Sequence, residues 1–138
     1  MTPTSFDDLS DLRYTVSLPN QNGQDRYPFV HVAFSGAYGD RDDAVFIIAI
    51  MAAVQTAWFS PALIIDLTAL SYTWGDEMEW VYGIGYDKDD RIRKQLVVVV
   101  GDQCSASLQS LDPDAYAEHC VDSLDAALAK LGNTRESG

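Results

Sequence analysis

The sequence predicts a single α/β domain: a mixed, mainly parallel sheet with an antiparallel strand pair at its N-terminal side and helices packed on it. Three observations carry that expectation. Residues 62–67 and 95–100 are nearly unbroken apolar runs, bounded by Pro61 before the first and Gly101 after the second. Strands buried on both faces read this way, whereas half-exposed strands alternate. Helical segments separate and follow these runs, so the strands they join are parallel and linked by right-handed crossovers. Residues 13–18 and 27–34 alternate instead, and the Asn-, Gln- and Gly-containing stretch between them reads as the loop of an antiparallel pair.

The elements follow in order. On 13–18, Tyr14, Val16 and Leu18 share one face; on 27–34, Val30, Val32 and Phe34 lie opposite Phe29, His31 and Ala33. Gly36 and Gly39 read as a turn, with Asp40 capping a helix that reaches about Ala57 and is apolar on nearly every side from Ala44 to Val54. A second helix is expected over residues 75–86, where Asp76 and Glu77 in the first turn favour the positive end of the helix dipole. Residues 87–94 form a charged surface connection. A short helix at 105–111 is followed by a restart at Asp112 and Pro113 and by a segment ending at Cys120 and Val121. The last helix starts at Asp122 or Ser123, carries Leu124, Ala127, Leu128 and Leu131 on one stripe, and is expected to stop at Gly132. Residues 1–138 form one domain in this reading, with 1–11 and 133–138 as flexible ends.

Charge and composition narrow the function. Nine basic residues against 21 acidic ones leave a net charge of −12. That argues against nucleic acid, whose phosphates need Lys and Arg, and favours encounter with a basic protein. The longest apolar run, 44–54, falls short of the roughly 20 residues of a membrane span, and the N-terminus is polar and acidic, so neither a membrane nor export is expected. Cys104 and Cys120 are too few for a disulfide framework, and a cytoplasmic setting follows. No metal, nucleotide or other cofactor is expected: His and Cys lack paired spacing, and the Gly36 to Gly39 stretch has no lysine and runs into Asp40, Asp42 and Asp43. The adjacent His119 and Cys120 suggest a base and a thiol, yet chain neighbours on a strand point apart. His31 reads as a satisfied strand histidine, and catalysis is not the expected work of this chain.

Residues 63–78 read Leu-Ile-Ile-Asp-Leu-Thr-Ala-Leu-Ser-Tyr-Thr-Trp-Gly-Asp-Glu-Met. This segment resembles the central motif of STAS domains, with Asp66, Leu67 and Thr68 at the end of a buried strand. The strand at 96–100 and the Cys-Val-Asp-Ser-Leu-Asp-Ala-Ala-Leu of 120–128 are similar to the family's last strand and final helix start. The resemblance implies a regulatory domain that acts by contact with another protein, as anti-sigma factor antagonists do. It also implies a serine phosphoacceptor at the turn, where this sequence has Trp74-Gly75-Asp76-Glu77 and no serine.

Aromatic and acidic residues gather around that turn. Trp74, Gly75, Asp76, Glu77, Glu79, Trp80 and Tyr82 are the candidate binding residues, with Trp74 expected to be exposed because it opens the helix. Aromatic side chains set among carboxylates suit a basic partner protein. Two other functions fit the same composition: an immunity or inhibitor protein that neutralises a basic toxin such as a nuclease, and a small enzyme with an unrecognised pocket.

Overall fold

The computed structural model describes residues 1–19, 27–58, 60–72, 76–84 and 95–137; for 76, 77, 79 and 133–137 it describes the backbone alone. The elements are α1 (Phe6–Leu9), β1 (Arg13–Ser17), β2 (Val30–Ala37), α2 (Arg41–Ala57), β3 (Ala62–Ser71), a 3-10 helix (Asp76–Gly83), β4 (Gln95–Val100), α3 (Ser105–Leu111), α4 (Pro113–His119), β5 (Cys120–Val121) and α5 (Leu124–Ser137). Among the described residues the strands form one five-stranded sheet in the order β1-β2-β3-β4-β5. β1 runs antiparallel to β2 and every other pairing is parallel. β3 and β4 are therefore interior strands, as their unbroken apolar character requires.

The two faces of the sheet bury different helices. On the first, Val30, Val32 and Phe34 join Leu63, Ile65, Leu67, Leu96, Val98 and Val100 under α2, the 3-10 helix and α3. On the second, Ala62, Ile64, Val97 and Val99 meet Ala127 and Leu131 of α5. α2 starts where expected: the Asp40 side chain accepts the Asp42 N–H, and the Asp43 carboxylate accepts from the Gly39 and Asp40 N–H groups in return. Asp43 also accepts from the Ser10 hydroxyl, which ties the N-terminal segment to the start of α2.

Four sequence expectations are corrected. Gly36 lies inside β2 rather than in a turn; its φ of 117° and the 3.1 Å from a Cβ there to Leu12 Cδ2 explain the glycine. The strand beginning at Ala62 continues to Ser71. The segment after it is a 3-10 helix ending at Gly83, not an α-helix reaching Tyr86. Met78 and Val81 in the helix and Ile84 just after it are buried at every third position, with Tyr82 buried beside Val81, and side chains three apart are stacked in the tighter helix. Finally, α5 runs past Gly132 to Ser137, and of its expected stripe only Ala127 and Leu131 are buried, Leu124 and Leu128 remaining 40% and 39% exposed. No helix among the described residues is long and apolar enough to cross a membrane.

The C-terminal ends of the parallel strands are laced together. The Tyr38 N–H donates to the Ser71 carbonyl and the Tyr72 N–H to the Gln103 carbonyl. Gly101, just after β4, comes so close to β3 that a Cβ would lie 2.6 Å from the Thr68 carbonyl oxygen. Backbone cannot yield as a flexible side chain does. Gly101→Ala should therefore lower unfolding stability by about 1–3 kcal/mol in denaturant titration, and an unchanged midpoint would show that the strand ends are further apart than described.

Candidate functional site

Strand β3 gains one residue against β2. Ala33 pairs with Asp66 and Ser35 with Ala69, so two steps along β2 match three along β3. Such a bulge frees a backbone donor and changes which side chains face the core. Before it, Leu63, Ile65 and Leu67 point to the first face; after it, Leu70 and Tyr72 do. Asp66 holds the bulge. Its Oδ1 accepts the Thr68 N–H at 3.0 Å and the Thr68 hydroxyl at 2.7 Å, while its Oδ2 accepts from His31 Nε2 at 2.8 Å. Burial on its own would raise the carboxyl pKa, but the bonds from His31 and Thr68 outweigh it and bring Asp66 down from 3.8 to about 2.

Beyond the bulge the chain leads into the 3-10 helix. Tyr72 packs edge-on against Tyr38 with ring centroids 5.0 Å apart. The 3-10 helix packs against α2; its Met78, Val81 and Tyr82 and the following Ile84 are buried, while Trp80 stays 44% exposed. The Arg41 guanidinium, in the first turn of α2, lies 5.7 Å from the centre of the Trp80 ring, within cation–π range. An exposed indole with a cation beside it thus stands where two elements meet.

The sequence-predicted site residues divide as follows. Trp74 and Gly75 lie outside the described residues, as does the expected exposure of Trp74. Asp76, Glu77 and Glu79 are in the 3-10 helix. Trp80 is at the surface. Tyr82 is a correction: it is 7% exposed, stacked on His119 at 5.8 Å and 3.5 Å from Cys120 Sγ through its hydroxyl, so it is a core residue and not a contact residue. Arg41 and the His31–Asp66 pair were missed as site features, because partners 39 and 35 positions apart leave no local signal.

His119 and Cys120 do not combine into a nucleophile and base. His119 Nδ1 is bonded to the Leu96 carbonyl at 3.1 Å. Burial raises the Cys120 thiol to about 11, against the opposing hydrogen bond from Tyr82, so the reactive thiolate is scarce near neutral pH. Burial likewise raises Cys104. Among the described residues no group of three or more His, Cys, Asp or Glu could hold a metal ion.

No protein-family model matches the sequence, and no curated protein matches it. Among solved structures, the chain is similar to an anti-sigma factor antagonist from Mycobacterium paratuberculosis. The TM-score is 0.61 at 18% identity, over 86% of this chain and 94% of that one. At this identity the likeness is one of fold, and it agrees with the mixed five-stranded sheet and its helices.

The Asp66 pair carries a pH signature. Its folded pKa of about 2 lies below the usual 3.8, so its stabilisation is fully present above pH ~4 and is lost as pH falls from 4 through 2. With the solvent that still reaches the carboxylate screening the interaction, the contribution is about 1 kcal/mol. Denaturant titrations at pH 7 and pH 2.5 should show a larger acid loss for the wild-type chain than for Asp66→Asn; equal losses would mean that the carboxylate is not held in this way.

Proposed function

We propose that this chain is a non-catalytic regulatory domain that works by binding another protein, and that the partner is of the anti-sigma factor type. The observation that carries the reading is the Trp80 surface: an exposed indole, on the 3-10 helix that also bears Asp76, Glu77 and Glu79, beside Arg41 at the start of α2. The fold likeness to an anti-sigma factor antagonist supports it. Trp74 and Gly75, immediately before the 3-10 helix in sequence, belong to the same proposed surface. The net charge of −12 suits a partner with a basic face.

The same proposal gives the turn a fixed charge instead of a switched one. Gly75 stands at the position of the serine that the family resemblance implies, so no phosphate is taken up there. Asp76 supplies a permanent negative charge, weaker than that of a phosphoserine.

The test separates anchor from steering. With the partner captured from the native cell and identified by mass spectrometry, Trp80→Ala should speed dissociation and cost on the order of 2 kcal/mol, as loss of an aromatic anchor does. Asp76→Lys with Glu79→Lys should slow association and flatten its salt dependence. Circular dichroism should show that both variants stay folded. Wild-type kinetics in both would place the contact surface elsewhere.

A further inference from the structure

One edge of the sheet is open. Among the described residues β1 has a strand neighbour on one side only, and all its residues are exposed except Val16, which is half-buried. An unpaired edge presents a row of backbone N–H and C=O groups, and folds usually blunt it with proline, lysine, a bulge or a very short strand. β1 has none of these: it reads Arg-Tyr-Thr-Val-Ser and keeps regular register with β2 from Arg13 to Ser17. The opposite edge is treated differently. β5 spans only Cys120–Val121, and where it does not reach, His119 Nδ1 donates to the Leu96 carbonyl of β4.

The side chains of β1 are self-complementary about Thr15. Tyr14 and Val16 stand opposite Phe34 and Val32 and so lie on the first face, where Tyr14 meets the Phe46 ring edge-on at 6.1 Å yet remains 47% exposed. Arg13, Thr15 and Ser17 lie on the second face. In an antiparallel pair of two β1 strands centred on Thr15, Tyr14 of each copy faces Val16 of the other, and aromatic against β-branched is a favourable cross-strand pair. Every facing pair then joins positions of the same parity, so the outward-facing backbone groups of one copy meet those of the other. A net charge of −12 sets two copies against each other in general. This strand, however, carries no carboxylate, and Arg13 is its single charge. In the Thr15-centred register the two Arg13 residues sit about 14 Å apart along the strands, beyond the Debye length of about 8 Å at physiological salt.

We propose that two copies of this chain pair through β1, antiparallel and in register about Thr15, so that their two sheets become one across a two-fold axis. A second copy fits this edge better than an unrelated strand, because its side chains match those already there as well as its backbone. A single strand pair is smaller than the standard interface of about 1,600 Å², so the dimer forms and dissociates readily. The contact uses neither Trp80 nor Arg41, and it is independent of the protein-binding reading.

The test is sedimentation velocity of the full chain from roughly 10 to 500 µM, a range suited to a small interface. The wild-type chain should pass from monomer to dimer within it. Thr15→Lys and Thr15→Glu each set like charges directly opposite at an exposed position, so both variants should stay folded by circular dichroism and dimerise roughly tenfold more weakly or worse. An equimolar mixture of the two should recover a heterodimer, since unlike charges then face each other. Isotope-filtered NMR should connect the Tyr14 ring of one copy to the Val16 methyls of the other. Trp80→Ala should leave dimerisation unchanged, which separates this contact from the partner-binding surface. A wild-type chain that stays monomeric throughout would overturn the proposal and leave the edge to another protein's strand. Undiminished dimerisation in both single variants, or a mixture that recovers nothing, would overturn it equally.

Discussion

The Asp66 carboxylate sits where β3 takes up its extra residue, and the path of the chain into the 3-10 helix depends on that position. By accepting from Thr68 it satisfies the backbone donor that the bulge frees, and by accepting from His31 it joins β3 to β2 on the second face. The bulge turns Leu70 and Tyr72 toward the first face, where an uninterrupted strand would have turned their neighbours. With Tyr72 anchored against Tyr38, the chain enters the 3-10 helix facing α2, and Trp80 emerges beside Arg41. The carboxylate and the bulge therefore support each other. The Asp-Leu-Thr stretch that carries the family resemblance thus has a structural task as well.

Much of the fold was legible because burial leaves a direct imprint on composition. The interior positions of β3 and β4, the antiparallel entry of β1, the Asp40 cap and the short helix at Ser105–Leu111 all follow from local pattern. What escaped depends on distant partners or on helix type. Apolar residues at 78, 81 and 84 suit the spacing of an α-helix and a 3-10 helix alike, and only packing against α2 decides between them. Gly36 was read as a turn because no local feature announces that Leu12 would crowd a side chain there. Tyr82 looked like a contact residue from its acidic neighbours, yet it stacks on His119, 37 positions away. The α5 residues Leu124, Ala127, Leu128 and Leu131 were read as one stripe, but periodicity records which residues share a helix face and not how far the sheet beneath extends.

The two faces of the sheet consequently differ in what they offer. The first is closed by α2, the 3-10 helix and α3, and at its rim the Trp80 indole meets the Arg41 guanidinium. On the second, α5 packs on Ala62, Ile64, Val97 and Val99 and leaves Leu124 and Leu128 exposed. Rim residues can change without disturbing the core, since Trp80 contributes little to the buried cluster. Asp66 cannot, because it belongs to the second face and sets the geometry of the first.

The central claim is that partner binding engages the start of α2 and the 3-10 helix. Amide hydrogen exchange of the domain, alone and saturated with its captured partner, tests it most directly. The account predicts added protection at residues 40–42 and 76–83, with the second face, including Leu124 to Leu131, unchanged. Protection confined to α5 and β1, with the Trp80 segment exchanging as fast as in the free chain, would contradict it.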